Sequence, residues 1–309
     1  MISSFFSKTK PVNYIILAVS LVLFYGFYVS FENSVQIWTE KPISEGLAVM
    51  VLVLELFVIN EIIRTEKITG FSSFTMLFFV LLLLSFSDTV LDKNGIFANL
   101  FLLLALWRLL AIKSMKNVKH KIFDAALFVC ISSFFYDWML IFLVLIFLVI
   151  NVYERNNYKN WLVPFVAIST VFVLAFSILR VYDNTTFFVQ HYTFSPEFLG
   201  ETQWRIKNSR FLLFFIFSLA LMTLVFIRLR KKGGGKLLAL RILFFAFLIS
   251  MILTLFKMKS SSPLILCFFP VAVFLTNYVE TIRNTRYREI AVSLFILVPL
   301  LIFTLGLTS

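Results

Sequence analysis

The chain has 309 residues, of which 61% are hydrophobic and 14% charged, against about 45–50% and about 25% in a soluble globular chain. So much apolar surface cannot be hidden in one aqueous core, which excludes a soluble enzyme. The net charge of +12 reads as anchoring to anionic lipid headgroups rather than as a footprint for nucleic acid.

Apolar runs of about 16 to 20 residues recur along the chain, and each spans about 24–30 Å as a helix, close to the hydrocarbon thickness of a bilayer. The expected fold is therefore all-α, a polytopic transmembrane helical bundle forming one integral membrane domain over residues 1–309. The alternating segments of about ten residues that mark a transmembrane barrel are absent. About eleven spans are expected, at 13–30, 44–62, 73–90, 95–112, 121–136, 138–153, 161–179, 211–228, 237–256, 263–279 and 290–307.

Lys8 and Lys10 precede the first run, but no small-x-small cleavage pattern follows it, so it reads as a retained span. The first outer connection, "FENSVQIWTEKPISEG", carries Glu32 and Glu40, candidate carboxylates for general-base work. Inside the second and fourth spans lie Glu55 and Arg108, at nearly equal depth. A lone ionisable group there costs about 2.5–3.5 kcal/mol on insertion scales, so a Glu55–Arg108 pair is expected. The other reading has Arg108 snorkelling to the cytoplasmic phosphates and Glu55 protonated or bonded to Asn60.

Spans five and six are short and read as a tight helical hairpin turning near Asp137. The longest polar connection, 180–210, is an outer loop in which Ser195, Pro196 and Glu197 form a start signal for an interfacial helix. "RLRKKGGGK" at 228–236 lacks the spacing of a phosphate-binding loop and reads as a flexible basic hairpin. "KMKSSSP" at 257–263 places Lys257 and Lys259 at a membrane edge.

Charge orients the bundle. With a cytoplasmic N-terminus, every Lys and Arg of the 28 falls at cytoplasmic ends and loops except Lys41, Lys93, Arg180, Arg205, Lys207, Arg210, Lys257 and Lys259. The C-terminus is then periplasmic. Orientation does not explain cations on the outer side, and Arg180, Arg205, Lys257 and Lys259 are accordingly candidate contacts for an anionic lipid phosphate. A single outer charge also has a plain reading as a solvated loop residue. Cys130 and Cys267 lie in apolar runs, and His120 and His191 are far apart, so no metal site and no cofactor are expected.

The stretches "ISSFFSKTKPVNYII" (2–16), "NLFLLLALWRLLAIKSMKNVKHKIFDAALFVCISSFFYDWMLIFLVLIFLVI" (99–150) and "LILCFFPVAVFLTNYVE" (264–280) resemble an uncharacterised multi-pass membrane family of Bacteroidota. That resemblance implies the inner membrane of a Gram-negative bacterium. "KMKSSSPLILCFFPVAVF" is similar to the late segment of membrane glycosyltransferases of the GT-C class, which use polyprenyl-phosphate sugars. This likeness implies that Lys257 and Lys259 contact a lipid phosphate. The acidic pair that such enzymes present in a long first outer loop is replaced by isolated Glu32 and Glu40.

Two functions are expected side by side: handling of a polyprenyl-phosphate-linked or other anionic lipid, or non-catalytic service in an envelope assembly with membrane protein partners. A transporter ranks third, because few polar residues line the spans.

Overall fold

The computed structural model describes residues 2–33, 37–184, 186–192, 209–229, 235–255 and 263–308. Among the described residues every regular element is helical. In chain order these are α1 (Ile2–Phe6), α2 (Pro11–Asn33), α3 (Ile37–Glu40), α4 (Pro42–Glu66), α5 (Phe74–Ser85), α6 (Lys93–Ala111) and α7 (Val118–Ser132). They continue as α8 (Leu143–Tyr153), α9 (Tyr158–Val181), α10 (Phe187–His191), α11 (Ser209–Leu229), α12 (Gly235–Leu255), α13 (Phe268–Thr281) and α14 (Thr285–Thr308).

Eight segments among the described residues are long and apolar enough to cross a membrane: α2, α4, α6, α9, α11, α12, the stretch from Leu264 through α13, and α14. These coincide with eight of the eleven expected spans. The other three are shorter: α5 has 12 residues, α7 has 15, and Asp137–Tyr153 is a 3-10 turn followed by α8. At 1.5 Å per residue α5 is about 18 Å long, against about 30 Å of hydrocarbon. Its end is a backbone event. Phe86 leaves the helical region at φ −126°, and the chain turns through Ser87–Val90 in 3-10 form.

Hydrogen bonds between helices show the chain reversing from one end of the bundle to the other. At one end, here the α3 end, Tyr25 of α2 meets Glu45 of α4, and Tyr28 meets Asp88 after α5. At the opposite end Tyr14 donates to Asn60, and Glu280 of α13 receives the Gly70 N–H and the Ser72 hydroxyl. Arg228 of α11 also donates there, to Thr281.

The core sits around α13 and the turn before it: 83% of that segment is buried, against 17% for α9 and 11% for α14. In lipid, apolar burial gives no preference for a neighbouring helix over an acyl chain, so close packing and interhelical hydrogen bonds set the arrangement. α13 supplies both. Phe268, Phe269, Val271, Ala272, Val273 and Phe274 are fully buried, and Thr276 shares a 2.9 Å hydroxyl contact with Thr75 of α5. Pro270 is tolerated because first-turn N–H groups have no intrahelical partner to lose.

Candidate functional site

Three of the four glutamates on α4, Glu45, Glu55 and Glu66, are buried. Their spacings of ten and eleven residues place them about 15 and 16 Å apart along the helix and within about 80° around it. They share the face that carries Ala48, Leu52, Leu56 and Ile59 into the interior. That face packs on α6, and α6 with the turn after it answers each carboxylate in sequence. Glu45 pairs with Lys93, Glu55 accepts from Asn99 at 2.9 Å, and Glu66 pairs with Lys113 at 3.0 Å.

The α4–α6 seam is thus polar at both ends and at its middle. Burying a carboxylate alone is far costlier than burying one with a cation at hydrogen-bond distance. Lysines serve at the two ends, where their stems reach outward. An amide serves at the centre.

At the α3 end the seam widens into a polar cluster. The Tyr25 hydroxyl donates to Glu45 at 2.7 Å, while Lys93 donates to Ser44 Oγ at 3.0 Å as well as to Glu45. Trp38 Nε1 donates to Ser30 at 2.9 Å, tying α3 to α2. Asp92 caps α6 by accepting the Gly95 N–H at 3.0 Å, so near that a Cβ on residue 95 would lie 2.8 Å from the carboxylate. A side chain at residue 95 would push the Asp92 carboxylate out of this capping position.

Beside this cluster opens a depression of about 430 Å³, lined by Glu40, Lys41, Pro42, Ile43, Ser44, Leu47 and Phe97. Its chemistry is divided. Glu40, Lys41 and Ser44 offer charge and a hydroxyl, whereas Ile43 and Leu47 are exposed apolar side chains on the first two turns of α4.

A second polar contact at the same end holds α10 to α7. His191 donates from Nε2 to the Ser133 carbonyl at 2.8 Å, and the Tyr192 hydroxyl lies 2.7 Å from Ser133 Oγ. Burial pushes the Tyr192 phenol up from its usual range, partly offset by the Ser133 hydroxyl. His191 also stacks on Phe187, with ring centroids 4.9 Å apart. Its two polar and aromatic contacts give it a positioning role, and among the described residues no His, Cys, Asp and Glu cluster could hold a metal ion.

The residues singled out by sequence fall in several places. Glu40 lines the depression, while Glu32 is exposed on the last turn of α2. Arg180 is exposed near the end of α9. Arg205, Lys257, Lys259 and the helix expected from Pro196 lie outside the described residues. Glu55 and Arg108 are not brought together: Arg108 pairs with Asp124 of α7 at 3.1 Å, and Glu55 takes Asn99. Asn60, the alternative partner for Glu55, instead receives the Tyr14 hydroxyl at 3.0 Å.

The cause is register. Arg108 lies nine residues beyond Asn99 on α6, about 14 Å along the axis, so one helix cannot bring both groups to Glu55. Missed by sequence reasoning were Glu45, Lys93 and Asn99. The three-turn recurrence of glutamate on α4 is the signal that could have found the seam.

No curated protein and no solved structure matches the chain. A family profile described as a family of unknown function (DUF6427) matches residues 2–308, and on that extent the chain belongs to this family.

Proposed function

We propose that the protein binds an anionic lipid in the depression at the α3 end, and that this lipid is a polyprenyl-phosphate-linked sugar handled at the periplasmic face of a bacterial inner membrane. One observation carries the reading: a single concavity joins Lys41, Glu40 and Ser44 to Ile43, Leu47 and Phe97. A phosphate suits the first group and an isoprenoid chain the second. The positive-inside pattern supports the orientation, because the opposite end holds the basic stretch 113–121 and the basic start of α14. The Bacteroidota and GT-C resemblances of the sequence point the same way.

In this reading Lys41 meets the phosphate and Glu40 is placed as a base beside the sugar. Lys93 does not compete for the phosphate, because Glu45 and Ser44 engage it. Arg180, exposed near the end of α9, would add positive potential around the same end.

The test is native mass spectrometry of the detergent-purified protein titrated with a polyprenyl phosphate and with the matching uncharged polyprenol. Retention of the phosphate at least about ten-fold tighter than the polyprenol, with loss of that preference in Lys41→Ala, is expected. Equal retention of the two lipids, or a preference untouched by Lys41→Ala, overturns the proposal. A non-catalytic role in an envelope assembly is the second reading, favoured by the largely uncovered α9 and α14, which leave room for membrane protein partners. It predicts equal retention.

A further inference from the structure

Glu55 and Asn99 meet at the middle of the α4–α6 seam, both completely or almost completely buried, at 0% and 1% exposure. One hydrogen bond joins them, from Asn99 Nδ2 to Glu55 Oε1 at 2.9 Å. Two further atoms of the same pair, Glu55 Oε2 and Asn99 Oδ1, have no hydrogen-bond partner. Both are acceptors when the carboxyl is ionised, so neither can satisfy the other. A proton on Oε2 changes this at a stroke, because it turns one orphan acceptor into a donor for the other.

The surrounding charges leave no other way to neutralise the group. α2 presents Tyr14 to Asn60, Tyr25 to Glu45 and Tyr28 to Asp88, and its Glu32 is exposed. Glu40 of α3 is exposed, and α5 has no ionisable side chain. Of the two cations on α6, Lys93 is held by Glu45 and Arg108 by Asp124. Along α4 itself, Arg64 is paired with Glu61 at 3.4 Å, and Glu45 and Glu66 lie about three turns from Glu55 in either direction, each with its own lysine. Among the described residues, no counter-charge reaches the centre of the seam, and solvent is shut out of it.

We propose that Glu55 is a resident proton site: its carboxylic acid donates from Oε2 to Asn99 Oδ1 while accepting from Nδ2. The result is a closed acid–amide ring that locks α4 to α6 at mid-bundle. Each of the four atoms then has a partner within the pair. The ring makes this contact dependent on a proton, unlike the lysine pairs at the two ends. It stands apart from the lipid-binding reading, since it involves none of the residues that line the depression.

Infrared difference spectroscopy of the purified protein at neutral pH, wild type minus Glu55→Gln, tests the assignment directly. A hydrogen-bonded carboxylic-acid carbonyl band in the wild type, shifted by deuteration and absent from the variant, is expected. In Asn99→Leu the band should move towards the frequency of a free acid. Glutamine keeps one donor and one acceptor in the same shape, so Glu55→Gln should leave the thermal midpoint unchanged, whereas Glu55→Ala should lower it. The proposal is overturned if the difference spectrum shows a carboxylate in place of the acid, if Asn99→Leu leaves the acid band unmoved, or if Glu55→Gln melts well below the wild type. The spectra of the wild type and of Glu55→Gln decide the matter even if the alanine variant fails to fold.

Discussion

Lys93 shows how a single side chain at a membrane edge can hold two helices together. Its ammonium answers the buried Glu45 carboxylate, which also receives the Tyr25 hydroxyl. Removing the cation while leaving the anion strands a charge away from water, and breaking one side of such a buried pair costs about 3 kcal/mol or more. Lys93→Met is therefore expected to lower unfolding stability in detergent by about 3 kcal/mol. Adding Glu45→Gln should restore most of that loss, because the amide still accepts from Tyr25 and carries no charge. A double variant as unstable as Lys93→Met would mean that the stem of Lys93, and not its charge, matters. Nothing in the sequence ranks Glu45 above Glu32 or Glu40. All three belong to one short polar connection, but Glu45 alone lies on α4, whose helical phase turns it inward.

At the scale of elements, apolar length was legible and backbone path was not. Each of the eight long helices follows a run of side chains that needs the same environment over about 20 residues, and hydropathy reads that requirement directly. α5 differs because Phe86 is as apolar as most of the helix before it, yet its dihedral angles end the helix. The 3-10 turn Asp137–Phe142 is likewise apolar after its first residue, so composition alone merges it with α8.

The connection from α4 to α5 is fixed by partners remote in sequence. Glu280 accepts from Gly70 N at 2.8 Å and Ser72 Oγ at 2.7 Å, which pins that connection to the end of α13. Hydrogen bonds to a charged acceptor contribute about 1.5–3 kcal/mol each, and this carboxylate is half-buried, which places the pair near the lower value. Glu280→Ala is expected to reduce stability by about 3 kcal/mol, and Ser72→Ala by about half of that. Thermal unfolding of the two variants side by side checks the ratio. Equal losses would show that the Gly70 bond contributes nothing.

For the whole molecule, the distribution of charge and the path of the chain bear on one arrangement from independent directions. Positive residues crowd the connections after α6 and before α14, at 113–121 and 283–288, and a membrane potential with anionic inner-leaflet lipids favours retaining such stretches on the cytoplasmic side. The hydrogen bonds separately assign Glu40 and the connection after α6 to opposite ends of the bundle. Glu45 and Lys93 meet at the α3 end, while Glu66 and Lys113 meet at the other.

The two native thiols provide a quiet background for testing this, because Cys130 and Cys267 are both buried. Single cysteines placed at the exposed positions Glu40 and Lys116 should therefore report topology without further engineering. In intact cells a membrane-impermeant maleimide is expected to label Glu40→Cys and to spare Lys116→Cys until the membrane is opened. Labelling of both from outside would refute the path through α4, α5 and α6. Labelling of Lys116→Cys alone would keep the path and invert the orientation, moving the depression at the α3 end to the cytoplasmic face.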